Sequence, residues 1–417
     1  MLAIALVAIG LTPLGASAAT FTVDSPADPG DGACVPASCT LREAIDAANV
    51  TPGEDTILFS LSPGATITPT SVLPAINEAV TIDGTGVPGL TLDGGMPALS
   101  ADGLTITSSG ITIQGLSITG FGGSGVVASS GLGNKILGNE IWDNDGLGID
   151  LDGNGVTPND PGDVDSGPNG LQNFPVLTMA SSGNGVTVVR GSLNSTAGAA
   201  FRIELFSNIL CNIPEPFGEG QTFLGWFDVN TDPSGTASFI SAVDVQVPAG
   251  SVITATATGP EGTSEFSACQ TAFSDTAPPT VSVGNLTTFQ TETSFVVSWD
   301  GSDPSGVSFH VLVRQAPFNK GFGDQQAFAT NVTSTSETFT GKPGMTYCFE
   351  VVATDPLGNS SSTGEECTAV LVDDTSMKHR KGFKQRSGGD HFMGTFSWAR
   401  RKGATLILSG VQADQLA

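Results

Sequence analysis

Apolar and polar residues alternate with a period of two over most of the chain, and Gly, Asn or Asp ends almost every short run. Between about 55 and 150 these runs are AVTIDG, LTLDGG, GLTITSSGITIQGLSITGF and NKILGNEIWDN. Alternation over a few residues, closed by turn-forming residues, is typical of half-buried β-strands. The pattern therefore predicts an all-β chain of short strands and tight turns.

One stretch, residues 37–49, has helical periodicity instead. Thr40 and Glu43 have the spacing of a capping box. The apolar residues that share one helical face are Leu41, Ala44, Ile45 and Ala48. Arg42 and Asp46 are four residues apart on the opposite face, where we expect an ion pair. The pattern predicts a short amphipathic helix with a structural role.

The strand-forming region repeats itself at an offset of 23 residues, which places 111–121 over 134–144. Ile113 then falls on Ile136, and Ile118 falls on Ile141. A repeat of this length with several short strands predicts a solenoid, most simply a right-handed parallel β-helix. An ordinary β-sandwich with chance register is the alternative. A solenoid has an end that must be covered, and we expect the helix to cover it.

The rest of the chain predicts two β-sandwiches and a tail. Strand alternation with regular turns covers 176–275, and TAPPT begins a linker at residue 276. Residues 276–374 have the strands of a second sandwich, with Trp299 early in it. Residues 375–417 combine a basic linker with an incomplete β segment, for which a packed tail or a shifted reading frame are alternatives. The capped β-helix would occupy 19–175.

Two resemblances to known families support this organisation. CTLREAIDAAN, and GIDLDGNGVTPNDPGDVDSGPNGLQNFPVL at 148–177, resemble the two ends of the β-helix in CSLREA-type secreted bacterial proteins. FRIELFSN and the segments after it resemble the β-sandwich that often follows. GKPGMTYC resembles the tyrosine corner of fibronectin type III modules, with Tyr347 as its tyrosine. The resemblances imply a fold and an extracellular location, and they supply no catalytic residue.

Charge restricts the possible partners. The chain has 15 Lys and Arg against 41 Asp and Glu, a formal net charge of −26. Eight of the basic residues lie in 375–417, so the preceding body is strongly acidic. An acidic body repels nucleic acid and anionic lipid, and we expect neither as a partner. It suits divalent cations, and we expect a monomer.

The beginning of the chain and the cysteines predict export. Residues 1–18 form an apolar run that ends in Ala-Ser-Ala, the pattern of a cleaved signal peptide, although a buried first strand is the alternative. The run is too short for a membrane span. Six cysteines fall into local groups, which we expect to form disulfides. The predicted pairs are Cys34 with Cys39, Cys211 with Cys269, and Cys348 with Cys367. Zinc is disfavoured because no C-x-x-C occurs.

The residues that β-helix enzymes need are scarce in the predicted solenoid. A polysaccharide lyase uses an Arg or Lys base, and a glycoside hydrolase uses two carboxylates, often with His or a cation nearby. His310, His379 and His391 all lie outside the solenoid, where the only basic residues are Arg42 and Lys135. We therefore predict no catalytic residues.

An acidic segment near the end of the solenoid is the candidate metal site. Asp150-x-Asp152-x-Asn154-Gly155 matches the opening of an EF-hand calcium loop, but position twelve is Pro161 instead of Glu. The residues that might supply the missing ligand are Asp160, Asp163 and Asp165. A structural Ca²⁺ site, solvated Asp turns and a catalytic carboxylate pair all remain open for this segment.

Together these patterns predict a secreted or surface-associated, non-catalytic protein for display, adhesion or binding of a glycan, cell-wall or matrix component. The alternative is a β-helix polysaccharide lyase or glycoside hydrolase that acts on acidic polysaccharide. A spacer without any ligand is a third hypothesis.

Overall fold

In the computed structural model, residues 18–28, 32–95, 99–211, 216–317 and 320–372 are described, together with four short strands near the C-terminus. The chain divides into two compact units, 1–274 and 275–417. The predicted signal peptide lies, except for Ala18, outside the described residues. In the described part of the chain, no helix is long and apolar enough to cross a membrane.

The first unit begins with three parallel sheets that stack into a solenoid. Their strands are Thr20–Val23 (β1), Asp55–Phe59 (β2), Thr66–Ile67 (β3), Val80–Asp83 (β4), Thr91–Asp93 (β5), Leu104–Ile106 (β6), Thr112–Gln114 (β7), Ser117–Thr119 (β8), Val126–Ala128 (β9), Lys135–Leu137 (β10), Glu140–Trp142 (β11) and Ile149–Leu151 (β12). The sheet orders are β1-β2-β4-β7-β10, β3-β5-β8-β11 and β6-β9-β12.

The register of these sheets confirms the repeat read from the sequence. Ile136 pairs with Ile113, and Ile141 pairs with Ile118. Each of these apolar side chains points into the interior, where each is at most 3% exposed. The alternation of apolar and polar residues therefore encodes a stack of rungs around one apolar core.

Asparagine side chains hold successive rungs together where the chain turns. The Oδ1 atoms of Asn134, Asn139 and Asn144 each accept a hydrogen bond from the backbone N–H 23 residues earlier, at 3.0, 3.0 and 3.1 Å. All three asparagines are buried. They satisfy amides that the turns would otherwise leave without partners.

The helix, Leu41–Val50 (α1), covers the first rung as predicted. Thr40 and Glu43 form a capping box, and the four apolar residues of its predicted stripe are buried in the solenoid core. The prediction of an Arg42–Asp46 ion pair is wrong. The Arg42 guanidinium donates hydrogen bonds to both carboxylate oxygens of Asp28, at 2.7 and 3.0 Å. Asp28 lies in the loop between β1 and α1, and this loop reaches the outer face of the helix.

A sandwich of mostly antiparallel strands completes the first unit, with β13 and β20 as a parallel pair. A 3-10 helix, Pro168–Leu171, leads into it. Its strands are Val176–Gly183 (β13), Val186–Asn194 (β14), Ala200–Asn208 (β15), Thr222–Asn230 (β16), Thr236–Val243 (β17), Val252–Gly259 (β18), Gly262–Thr263 (β19) and Gln270–Ser274 (β20). The strand order β16-β15-β18-β20-β13-β14-β17 encloses a core of its own.

The second unit contains another mostly antiparallel sandwich, in which β22 and β29 are a parallel pair. Its strands are Thr280–Val283 (β21), Phe289–Gln290 (β22), Ser294–Ser302 (β23), Ser308–Pro317 (β24), Gln326–Val332 (β25), Ser336–Thr340 (β26), Met345–Thr354 (β27), Ser360–Ser362 (β28) and Glu366–Val370 (β29). The sheets are β21-β23-β26 and β22-β29-β27-β24-β25. The Tyr347 hydroxyl accepts a hydrogen bond from the Lys342 N–H at 2.7 Å, as in a tyrosine corner.

Four strands near the C-terminus form two antiparallel pairs. Lys378–His379 (β30) pairs with Leu406–Ile407 (β33), and Phe383–Ser387 (β31) pairs with Thr395–Ala399 (β32). β31 lies inside the basic stretch for which the sequence predicts a linker.

All three predicted disulfides are present. Cys34 is bonded to Cys39, Cys211 to Cys269 and Cys348 to Cys367. The first bond closes the loop before α1, and the third joins the neighbouring strands β27 and β29.

Candidate functional site at the capped end of the solenoid

The last rung of the solenoid is covered by the first sandwich. In strand β15, Ile203 and Leu205 belong to the sandwich core, while Phe206 belongs to the solenoid core. Phe206 packs against Phe266 with 5.2 Å between ring centroids. The two parts of the first unit therefore share apolar contacts across the end of the stack.

Three buried glutamates of the sandwich accept hydrogen bonds from this last rung. Glu204 accepts from the N–H of Gly138 at 2.8 Å, and Glu265 accepts from the N–H of Leu151 at 3.0 Å. Glu219 accepts from the N–H of Asn144 at 3.3 Å. One donor lies in or just after each of the last three strands, β10, β11 and β12. We call Glu204, Glu219 and Glu265 the capping glutamates.

Two further hydrogen bonds connect the last rung to the sandwich. Ile136 N–H donates to Thr263 Oγ1 at 2.9 Å, and Ile141 N–H donates to the Gly220 carbonyl at 2.8 Å. A parallel stack otherwise ends in a row of open backbone donors, which favours pairing with another chain. Here the sandwich satisfies those donors within the same chain.

Burial perturbs the acid–base behaviour of the capping glutamates. Burial raises the pKa of Glu265 to about 7, partly offset by the Leu151 and Thr157 amides, while nearby Asp150 adds to the rise. Burial likewise raises the pKa of Glu204, against the Gly138 amide and the Arg202 charge. Perturbed carboxylates often mark active sites. These two are enclosed and hydrogen-bonded to backbone amides, so the structure explains them without substrate chemistry.

The predicted metal ligands fall into two groups. Asp150 is buried and accepts from the Gly155 N–H at 3.3 Å, and burial raises its pKa. Asp152 is exposed, with a left-handed φ of 75°, and its carboxylate accepts from Asn154 Nδ2 at 3.1 Å. Asp150 lies in β12, and Asp152 and Asn154 lie in the turn that follows this strand. The structure brings together the other predicted ligands instead.

Asp160, Asp163 and Asp165 form a compact acidic cluster. Each offers a carboxylate oxygen within 4.8 Å of the others. Asn173 holds the loop in place, because its Oδ1 accepts from the Asp160 N–H at 3.0 Å and its own N–H donates to Asp163 Oδ1 at 3.0 Å. Burial and neighbouring carboxylates raise the pKa of Asp163 and of Asp165.

Two buried oxygens of the acidic cluster have no hydrogen-bond partner among the described residues. Asp160 Oδ1 and Asp165 Oδ1 are buried and accept no hydrogen bond from the described residues. No basic side chain forms an ion pair with the cluster in the described part of the chain. Hard cations such as Ca²⁺ bind clusters of carboxylate oxygens of this kind.

A groove of about 390 Å³ runs where the last rung meets the sandwich. Lys135, Arg202, Asp228 and Pro260 contribute to its lining. Beside it, Trp226 is 50% exposed, and the Arg202 guanidinium lies 4.3 Å from the centre of the Trp226 ring. We call this surface the Arg–Trp groove. The groove combines an exposed aromatic ring with two basic side chains, in the acidic part of the chain that precedes residue 375.

Sequence reasoning missed the capping glutamates and the Arg–Trp groove. The available signal was FRIELFS, where Glu204 lies between apolar residues in a strand that is apolar on both faces. A strand buried on both faces indicates two neighbours, and a glutamate inside it indicates a polar partner. The alternation of apolar and polar residues does not identify the elements that pack against this strand or the group that pairs with Glu204.

No protein-family model and no curated protein sequence matches the chain. Among solved structures, the chain is similar to the fibronectin(III)-like modules of Clostridium thermocellum CbhA, with 14% identity, 48% of this chain and 94% of that chain covered, and a TM-score of 0.18. The chain is also similar to the FN1-FN3 domains of chicken CNTN1, with 18% identity, 47% of this chain and 67% of that chain covered, and a TM-score of 0.18. Similarities with TM-scores this low support no conclusion about function, and the sandwiches are described by their own strand order.

Proposed function

We propose that the protein is a secreted, non-catalytic binding protein that holds acidic glycan in the Arg–Trp groove. The observation that carries this proposal is the half-exposed Trp226 with Arg202 stacked on it, beside a groove that also contains Lys135. Export is supported by the three disulfides, which persist in oxidising compartments. A right-handed β-helix of CSLREA type remains the family hypothesis.

The chemistry of the groove favours an acidic sugar. An exposed indole offers an apolar face for a sugar ring, and its N–H remains available for a polar contact. Arg202 is 31% exposed and uses Nε and one terminal nitrogen on Glu204, at 2.9 and 2.7 Å. Its other terminal nitrogen and the Lys135 ammonium can pair with a ligand carboxylate. The negative charge of the rest of the protein would repel a polyanion elsewhere on the surface, so binding would be limited to the Arg–Trp groove.

Replacing Trp226 with alanine is expected to weaken binding of polygalacturonate by about tenfold or more, because the sugar loses its stacking surface. Affinity electrophoresis of the full chain in gels that contain polygalacturonate, or neutral dextran as a reference, measures this. Ile240→Ala is the matched control, since Ile240 is 47% exposed elsewhere on the same sandwich.

Binding that is unchanged in Trp226→Ala would overturn the proposal for this groove. So would equal retardation of both variants, or an absence of retardation of the native chain. Shortened polysaccharide products would instead support the alternative of a lyase or hydrolase.

We also propose that the acidic cluster of Asp160, Asp163 and Asp165 binds a structural Ca²⁺. The two buried oxygens without partners support it, because burial of charged carboxylates in mutual contact is costly without a compensating cation. The cation would stabilise the loop between the solenoid and the sandwich without taking part in a reaction.

Ca²⁺ at millimolar concentration is expected to slow hydrogen exchange in peptides that cover 157–173 by about tenfold or more, through mass action on the folded state. Asp165→Asn is expected to abolish this protection. Asp152→Asn is expected to retain it, since Asp152 lies in the separate turn. Protection that disappears in Asp152→Asn, or survives in Asp165→Asn, would contradict this assignment.

A further inference from the structure

Three loops of the second unit bring aspartates together at one end of its sandwich. Asp275 precedes β21, Asp303 follows β23, and Asp355 follows β27. Each offers a carboxylate oxygen within 4.8 Å of the others. The three residues are far apart in the sequence, so the fold itself assembles this group.

Among the described residues, the hydrogen bonds of these aspartates leave one buried oxygen without a partner. Asp275 is only 7% exposed, and its Oδ1 accepts from the Ala277 N–H at 3.1 Å. Its Oδ2 is buried and accepts no hydrogen bond from the described residues. Asp355 is 4% exposed, and its two oxygens accept from the backbone and side-chain nitrogens of Asn359 at 2.8 Å each.

The three carboxylates have no basic partner among the described residues. No Lys, Arg or His side chain in that part of the chain forms an ion pair with Asp275, Asp303 or Asp355. The donors that reach the three carboxylates are neutral: the Ala277 amide, Ser305 and Asn359. A buried carboxylate beside two others, without a counter-charge, is the arrangement that a hard cation relieves.

We propose that Asp275, Asp303 and Asp355 form a Ca²⁺ site in the second unit. Ca²⁺ takes oxygen ligands at about 2.3–2.6 Å, so ligands on opposite sides of the ion are about 4.8 Å apart. The separation of the three oxygens is within that limit. The ion fastens the segment that begins the module to the β23–β24 and β27–β28 turns. This site is independent of the acidic cluster in the first unit.

The chain contains a matched control for this site. Asp303-Pro304-Ser305-Gly306 and Asp232-Pro233-Ser234-Gly235 have the same four residue types. In both turns the aspartate Oδ1 accepts from the backbone N–H and the hydroxyl of the serine two residues later. Asp232 is exposed and lies in the first unit. Asp232 Oδ1 also accepts from the Thr236 N–H at 3.1 Å. An Asp→Asn change therefore affects the same two serine contacts in both turns, but only Asp303→Asn removes a charge from the proposed site.

The experiment is hydrogen exchange of the full chain with Ca²⁺, up to about 10 mM, or with EDTA. In the native chain, Ca²⁺ is expected to slow exchange about tenfold or more in peptides that cover 275–283, 303–308 and 355–362. Asp303→Asn is expected to lose this protection, and Asp232→Asn is expected to keep it. Far-ultraviolet circular dichroism of both variants in EDTA confirms that the fold is retained.

Absence of protection in these peptides of the native chain would overturn the proposal. Equal protection in Asp303→Asn and Asp232→Asn would overturn it as well. Protection of peptides that cover 157–173 from hydrogen exchange is measured in the same data. The proposed site of the second unit and the acidic cluster of the first unit are therefore tested independently.

Discussion

Replacing Glu265 with alanine is expected to lower the free energy of unfolding of the first unit by about 4 kcal/mol, because each buried amide that loses its acceptor costs about 1–3 kcal/mol. Glu265 accepts from Leu151 N–H at 3.0 Å and from Thr157 N–H at 2.9 Å. Urea unfolding, followed by hydrogen exchange in peptides that cover 104–151, measures the effect on this unit.

The control for this prediction is Glu261→Ala. Glu261 is exposed and lies four residues earlier, so its loss is expected to change stability by about 0.5 kcal/mol or less. A Glu265→Ala protein as stable as this control would contradict the capping role of the glutamates, because water would then be satisfying the last rung equally well.

The first unit is expected to lose stability as the pH rises from 5 to 8, by about 3 kcal/mol in total for Glu265. Burial raises the pKa of Glu265 from 4.5 in the unfolded chain to about 7 in the folded one. The folded state therefore holds the proton more tightly. This contribution is complete below about pH 4.5 and is lost as the pH rises through about 7.

Urea unfolding at pH 5, 6, 7 and 8 measures this dependence, and Glu265→Gln supplies the comparison. Glutamine retains an acceptor for Leu151 N–H and does not titrate. Most of the change in the free energy of unfolding with pH is therefore expected to disappear in this variant. Burial also raises the pKa of Glu204 and Asp150, so any pH dependence that they contribute has the same sign. A variant with the full slope, or a native chain that gains stability over this range, would contradict the assignment to Glu265.

Local rules in the sequence predict most of the fold. The 23-residue offset predicts the pairing of Ile113 with Ile136, because identical rungs stack with identical registers. The spacing of Thr40 and Glu43 predicts where the helix begins, because the capping box involves only neighbouring residues. The disulfides follow from the local grouping of the cysteines.

The features that the sequence does not predict depend on contacts between distant segments. Arg42 has a suitable partner four residues away, yet Asp28 and two backbone carbonyls surround it in the folded chain. Asp275, Asp303 and Asp355 have no motif spacing, and only the order of the strands brings them together. Glu265 meets Leu151 across 114 positions. Periodicity carries no information about such pairs.

The most direct test of the capped solenoid is native-state hydrogen exchange at the amides of Gly138, Asn144 and Leu151. If the capping glutamates seal the last rung, all three amides exchange only when the whole first unit unfolds, as slowly as Ile113 in the rung above. Exchange at the rate of a solvated strand edge, with Ile113 still protected, would show that the end of the solenoid is open and would contradict this account.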